Sequence, residues 1–229
     1  MRTRWMVLAA AALALTGSPA LARGEGGLSS LSSNDYSPRQ VEALQRTAAR
    51  GDAEAMYELA LAYRDGEGAA VDLKKAFNWF RKAALKGNVE AMNELGCAYS
   101  RGSGVAVDYV AALGWFRKAA GKGDVIAMLN VGVAYDLGQG VTIDDAEAVR
   151  WYLRSAEGGD PTAALYLASM YERAEGVRMD FEEAARWYRR AARSEDPEER
   201  AQAENGLERV GEGQLPLKPP GAATGLIST

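Results

Sequence analysis

The chain has 229 residues, 48% of them apolar and 25% charged, enough apolar content to pack one elongated domain. It contains no histidine, which sets aside Ser-His and Cys-His catalysis and removes a favoured metal ligand. Twenty-seven Lys and Arg against 31 Asp and Glu, with a pI near 5.2, lack the basic footprint of a nucleic-acid binder.

Arg2 and Arg4 precede an apolar run from Trp5 to Leu15, then Gly17, Ser18 and Pro19, then the small-x-small triplet Ala20-Leu21-Ala22. This is the layout of a secretory signal peptide over residues 1–22, with an apolar run too short to span a bilayer comfortably and no cysteine at the cut to carry a lipid. The expected mature protein is periplasmic or secreted after cleavage near Ala22, with no membrane insertion once the signal is gone. Losing two arginines moves the formal charge from −4 to −6. Residues 23–37, rich in glycine and serine, cannot recover the entropy of ordering and read as a flexible leader.

From Pro38 to Arg50 the chain reads as a helix with Val41, Leu44 and Ala48 on one side, an N-terminal cap on an array of repeats. Gly51, Gly87, Gly123 and Gly159 recur every 36 residues, as do Tyr63, Tyr99, Tyr135 and Tyr171, and Trp79, Trp115, Trp151 and Trp187. Four units without an insertion, 51–86, 87–122, 123–158 and 159–194, predict an all-α solenoid of stacked helix-turn-helix repeats. In each unit Asp52, Asn88, Asp124 or Asp160 is placed to cap a first helix, A, and Asp72, Asp108, Asp144 or Asp180 a second, B. The A stripe is Ala55, Met56, Leu59, Ala60 and Tyr63 in the first unit, and the B stripe Ala76, Trp79, Phe80, Ala83 and Ala84, both at helical spacing. Paired glycines such as Gly66 and Gly68 join A to B, with Ala174 standing in for the first of the pair in the fourth unit. The small residues Ala60, Gly96, Gly132 and Ala168 leave grooves for large ones, and each Trp is expected to hold two neighbouring units together. Asp196-Pro197 repeats the Asp160-Pro161 start, so Glu198 to Val210 reads as a polar capping helix, closing a repeat domain over 38–210. Residues 211–229, with Pro216, Pro219 and Pro220, read as a disordered tail.

The string Ala91…Leu95-Gly96…Tyr99…Gly102-Ser-Gly104-Val105…Asp108…Ala112…Trp115…Lys118-Ala119-Ala120…Gly123 resembles the consensus of the Sel-one-like repeat (SLR) family, a subtype of tetratricopeptide-like α/α solenoids. The resemblance covers Gly51 to Arg193 and implies a right-handed superhelix with helix A on the concave side. It further implies an adaptor or regulator, in bacteria often an exported one tied to envelope signalling, exopolysaccharide or host contact. No catalytic residue belongs to the repeat, so no enzyme, cofactor or metal site is expected. Cysteine-rich relatives are associated with penicillin or cell-wall fragments, but this chain has one cysteine and no Ser-x-x-Lys.

Positions that the units do not share are the informative ones. On the side of helix A away from its stripe, the first two units present Glu54, Tyr57, Glu58, Glu90, Asn93 and Glu94, and the last two Ile126, Leu129, Val133, Leu165 and Tyr166. This predicts a groove, acidic at one end and apolar at the other, for a partner protein segment of complementary character. The bland alternative is a solvated acidic face and ordinary packing between repeats. A second reading is a binder of cell-wall glycan or peptide through Tyr57, Tyr166 and the carboxylates, and a hydrolase ranks behind both. Cys97 aligns with Leu61, Val133 and Ser169, so it is a small packing residue or else a redox-active thiol.

Overall fold

The structure is a computed structural model, and residues 36–213 are described; the expected signal peptide over 1–22, and most of the stretches expected as a flexible leader and a disordered tail, lie outside the described residues. Among the described residues the chain forms ten helices: α1 Pro38–Ala49, α2 Ala53–Asp65, α3 Leu73–Leu85, α4 Val89–Arg101, α5 Tyr109–Ala120, α6 Val125–Leu137, α7 Asp145–Glu157, α8 Pro161–Arg173, α9 Phe181–Ala191 and α10 Pro197–Gly213. The A helices are α2, α4, α6 and α8; the B helices are α3, α5, α7 and α9. Each packs chiefly on its neighbours in sequence, and α10 also reaches α8, the nearest-neighbour topology of a solenoid.

Capping follows the repeat. Carboxylate or amide oxygens of Asp52, Asn88, Asp124 and Asp160 accept from the N–H three residues on at 2.6–2.8 Å, and Asp72, Asp108 and Asp144 do the same at 2.9 Å. The backbone N–H of Asp72, Asp108, Asp144 and Asp180 donates to the carbonyl of Tyr63, Tyr99, Tyr135 and Tyr171 at 2.8–3.1 Å, which staples the end of each A helix to the start of its B helix. At the array's N-terminus Ser37 and Gln40 form a capping box, and Tyr36 packs on the core. Both Tyr36 and Ser37 therefore belong to the fold, although composition groups them with the leader.

The second connector glycine joins one repeat to the next. A Cβ on Gly104, Gly140 or Gly176 would lie 2.1–2.3 Å from the carbonyl oxygen of Leu73, Tyr109 or Asp145, at the start of the preceding B helix. Only glycine admits that approach. The first connector position needs a left-handed residue to end helix A, and Ala174 supplies it at φ 59, ψ 37, with its N–H donating to the Met170 carbonyl. The fourth connector is thus as regular as the others despite the substitution. Glu195 has the larger effect: it replaces the glycine that closes the other units, and α9 ends at Ala191 before the chain restarts at Pro197. Helix α10 runs to Gly213, three residues beyond the expected domain end, and buries Ala203 and Val210.

The core is built on the residue after each tryptophan. Phe80, Phe116, Tyr152 and Tyr188 are buried, whereas Trp79, Trp115 and Trp151 are half-buried and only Trp187 is buried. Phe116 lies on Gly96 and Tyr152 on Gly132, so the large-into-small match holds within a repeat. The outer faces of the indoles carry cations instead: Lys82 and Lys118 sit 3.8 Å from the ring centres of Trp79 and Trp115, and Arg154 4.3 Å from that of Trp151. Contact between repeats comes in part from other rings, as where Phe77 of α3 meets Tyr99 of α4 edge-on at 5.2 Å.

Candidate functional site

The candidate surface is the outward side of the A helices, and its two ends differ. On α2 and α4, Glu54 and Glu90 are exposed in the first turn, where the helix dipole favours an anion, and Glu58 and Glu94 are half-buried one turn on. Glu54 accepts from the Asn88 amide at 3.0 Å and so ties the two repeats together. Arg64 donates to Asp65 at 2.7 and 2.9 Å and to Glu94 at 2.9 Å. Burial works against the Arg64 charge, but these carboxylates outweigh it and hold the guanidinium protonated. Tyr57 rests on Phe80 with ring centres 5.9 Å apart.

At the other end the expected apolar lining is not a surface. Leu129, Val133, Leu165 and Tyr166 are buried within the core of the last two repeats, and Ile126 is half-buried. Tyr166 stacks on Tyr152 at 5.1 Å, and Tyr152 donates from its hydroxyl to Asp136 at 3.2 Å. Asn93 is buried as well and accepts from the Asn130 amide at 2.9 Å, a bond that joins α4 to α6. The apolar half of the predicted groove is therefore packing between repeats. The physical reason is that an A helix inside a solenoid has neighbours on both sides, and α6, apolar almost all round, is buried almost all round.

A cleft of about 50 Å³ opens between α3 and α4, lined by Arg64, Phe77, Phe80, Glu94, Cys97 and Arg101 among others. Cys97 is buried at its edge; burial, reinforced by the Glu94 charge, pushes the thiol up to about 12. That sets it with the packing residues and disfavours the thiolate that redox chemistry needs. Among the described residues no group of three His, Cys, Asp or Glu is placed to hold a metal ion, and no helix is long and apolar enough to cross a membrane.

Sequence reasoning overlooked Arg64, whose bridge to Glu94 crosses from one repeat to the next. It overlooked Asn130 and Asp136 too, since neither recurs in the other units. The aromatic series Phe80, Phe116, Tyr152 and Tyr188 was open to detection by its 36-residue period.

The Sel1 repeat pattern matches residues 53–88, 89–124, 125–160 and 161–196, the 36-residue period of the glycines with its phase moved by two residues. Among solved structures, a Sel1 repeat protein from Oxalobacter formigenes is 30% identical with a TM-score of 0.67, the match covering 77% of this chain and 79% of that one. The protective antigen c5321, present in uropathogenic Escherichia coli strains and displaying an SLR fold, is 37% identical with a TM-score of 0.69, covering 74% of this chain and 36% of c5321. The match thus takes in little more than a third of the length of c5321. No curated protein matches the chain.

Proposed function

The chain belongs to the Sel1 repeat family, whose members act in general through protein–protein contacts on a typically non-catalytic scaffold, and on that premise we propose that its acidic A-helix face takes a basic segment of a partner protein. The observation that carries the reading is a polarity of charge across the first two repeats. Helices α2 and α4 hold Glu54, Glu58, Asp65, Glu90 and Glu94 against Arg64 and Arg101. The B helices behind them, α3 and α5, hold Lys74, Lys75, Arg81, Lys82, Arg117 and Lys118 and no acid. Opposite signs on opposite faces give a ligand with Lys or Arg a favoured side, and steer its approach. The contact is expected to be salt-sensitive because the acidic side chains at Glu54 and Glu90 stand in solvent.

The scaffold works outside the cytoplasm in this proposal, on the strength of the charged, apolar and small-residue order of residues 1–22. Fractionation of the host and N-terminal sequencing test that part, with Arg23 as the expected first residue. The face itself is tested by selecting random peptides on the immobilised protein. Enrichment of Lys and Arg that disappears in the Glu54→Lys/Glu90→Lys variant supports it, and equal selection by both proteins sinks it. Binding of cell-wall glycan has less support, because Tyr166, one of the rings it would stack on, is covered by Tyr152.

A further inference from the structure

The outer side of the B helices carries a row of cations that recurs with the repeat. Arg46 on α1, Lys82 on α3, Lys118 on α5, Arg154 on α7 and Arg190 on α9 hold equivalent places at the 36-residue interval, and all are exposed. Helix α1 thus extends the row by one rung ahead of the first repeat. Lys82, Lys118 and Arg154 rest on the indoles of Trp79, Trp115 and Trp151, so these rungs are held in place before a ligand arrives. Arg50, Lys86 and Lys122 stand one turn further along the first three of these helices, and Arg150 and Arg186 one turn back on the last two.

The acids on this side are fewer and mostly engaged. Glu42 pairs with Arg46, Glu147 with Arg150 and Glu183 with Arg186, each within one helical turn, which leaves Glu157 beside the row. Asp145 and Glu182 lie in the first turns of α7 and α9, two turns or more from the rungs, and Asp52, Glu54, Glu90 and Asp124 lie across the turn into the A helices. Among α1, α3 and α5 the one acid is Glu42. The row is therefore basic along its length and most basic at its N-terminal end. Cations in a last turn complement the helix dipole, but the A helices have the same dipole and no such row: α6 has no last-turn cation, and Arg64 is out of register with Arg101 and Arg173.

We propose that this row takes an extended acidic segment of a partner protein, with Asp or Glu at every third residue. Successive rungs sit one helix diameter apart, ~10 Å, and an extended chain covers that distance in about three residues. Charge complementarity selects the sign of the ligand, and the surface beside the rungs selects its kind. The cations cover the outward faces of three indoles, so no ring there is open for a sugar to stack on. Leu85 is the large hydrophobic exposed on the outer turns of these helices, too little apolar area to enter a lipid surface. The proposal does not rest on the acidic A face; with both faces occupied, the chain would bridge a basic and an acidic segment.

Fluorescence anisotropy with two labelled peptides of equal charge, five Glu-Ser-Ser triplets and a block of five Glu followed by ten Ser, tests the row on the full chain. The spaced peptide should bind more tightly than the block, and less tightly as salt rises. Lys82→Glu/Lys118→Glu should weaken it about tenfold, whereas Lys74→Glu/Lys75→Glu, the same change of net charge off the row, should weaken it no more than about twofold. Glu54→Lys/Glu90→Lys should not weaken it, so failure here and failure of the A-face reading are told apart. Absence of binding at low salt overturns the proposal, as do equal binding of the two peptides and equal losses in the two lysine variants. Tighter, row-dependent binding of polygalacturonate or of phosphatidylglycerol vesicles overturns it in favour of a glycan or a membrane. Should the double reversal misfold by circular dichroism, Lys82→Gln/Lys118→Gln decides in its place.

Discussion

Tyr152 lies flat against the backbone of Gly132: a Cβ on that glycine would stand 2.6 Å from both Cδ1 and Cε1 of the ring. Alanine inside a helix is ordinarily better than glycine by about 1 kcal/mol. Here the added methyl must displace a fully buried ring whose hydroxyl is bonded to Asp136, an overpacking cost of roughly 1–3 kcal/mol. Gly132→Ala is therefore expected to lose about 1 kcal/mol net. Gly114, exposed in the middle of α5 with nothing within 4 Å of its would-be Cβ, is the control, and Gly114→Ala should gain about 0.5–1 kcal/mol. Urea unfolding of both variants gives the two signs; a gain at Gly132 would mean that the ring is not held where it lies.

Phe116 and Trp115 are neighbours in sequence with different tasks. Phe116 is buried against Gly96, so Phe116→Ala should cost about 3–5 kcal/mol. Trp115 keeps one face open under Lys118, and Trp115→Ala should cost about half as much, including ~0.5–1 kcal/mol of cation–π attraction. Paired unfolding curves decide it; equal losses would restore the tryptophans as the main contact of the array.

The left-handed Ala174 gives a stabilising prediction. An alanine at φ 59 carries a penalty of ~1–2 kcal/mol that glycine avoids, while glycine adds ~0.4–1 kcal/mol of entropy to the unfolded chain. Ala174→Gly should gain roughly 0.5–1 kcal/mol and raise Tm by about 2 °C in a chain of this size. No gain in calorimetry would mean that the connector relaxes away from this conformation.

These contrasts mark what the sequence could and could not convey. Caps, connectors and period are local properties, and four copies amplify them, so Asp72 or Gly104 is identified by position alone. Burial on the outward side of an A helix depends on what the adjacent repeat places there. Leu129 and Leu165 share a position with Tyr57, yet they are buried and Tyr57 is half-exposed, because the later repeats fill that space with their own side chains. A helical wheel knows one partner, whereas a solenoid helix has several. The acidic end remained a surface because a cluster of carboxylates cannot be packed away without cations, and on those helices only Arg64 and Arg101 are at hand.

Asp160 makes stability depend on pH in a direction opposite to the usual carboxylate. Burial, the main cause, and the nearby Glu199 charge raise its carboxyl from 3.8 to about 6, against the opposing hydrogen bond from the Ala163 N–H. Above pH 6 the group is ionised in both states and the folded chain bears the cost of desolvating it. As pH falls from 6 towards 3.8 the folded state takes up a proton that the unfolded state does not, so the contribution of this group to stability rises. Glu172, held below its ordinary value against burial by Arg209 and Tyr188, acts in the other sense, and its stabilisation is lost only once the pH falls below the usual glutamate range. Asparagine is a proven cap at the equivalent place, where Asn88 accepts from the Ala91 N–H at 2.6 Å. Asp160→Asn should therefore stabilise the protein at pH 7.5 by on the order of 1–3 kcal/mol, the value of a shift of about two units, and the advantage should shrink towards pH 4. Chemical denaturation at the two pH values measures it, and a variant less stable than wild type at pH 7.5 would show that Asp160 serves the helix better charged than neutral.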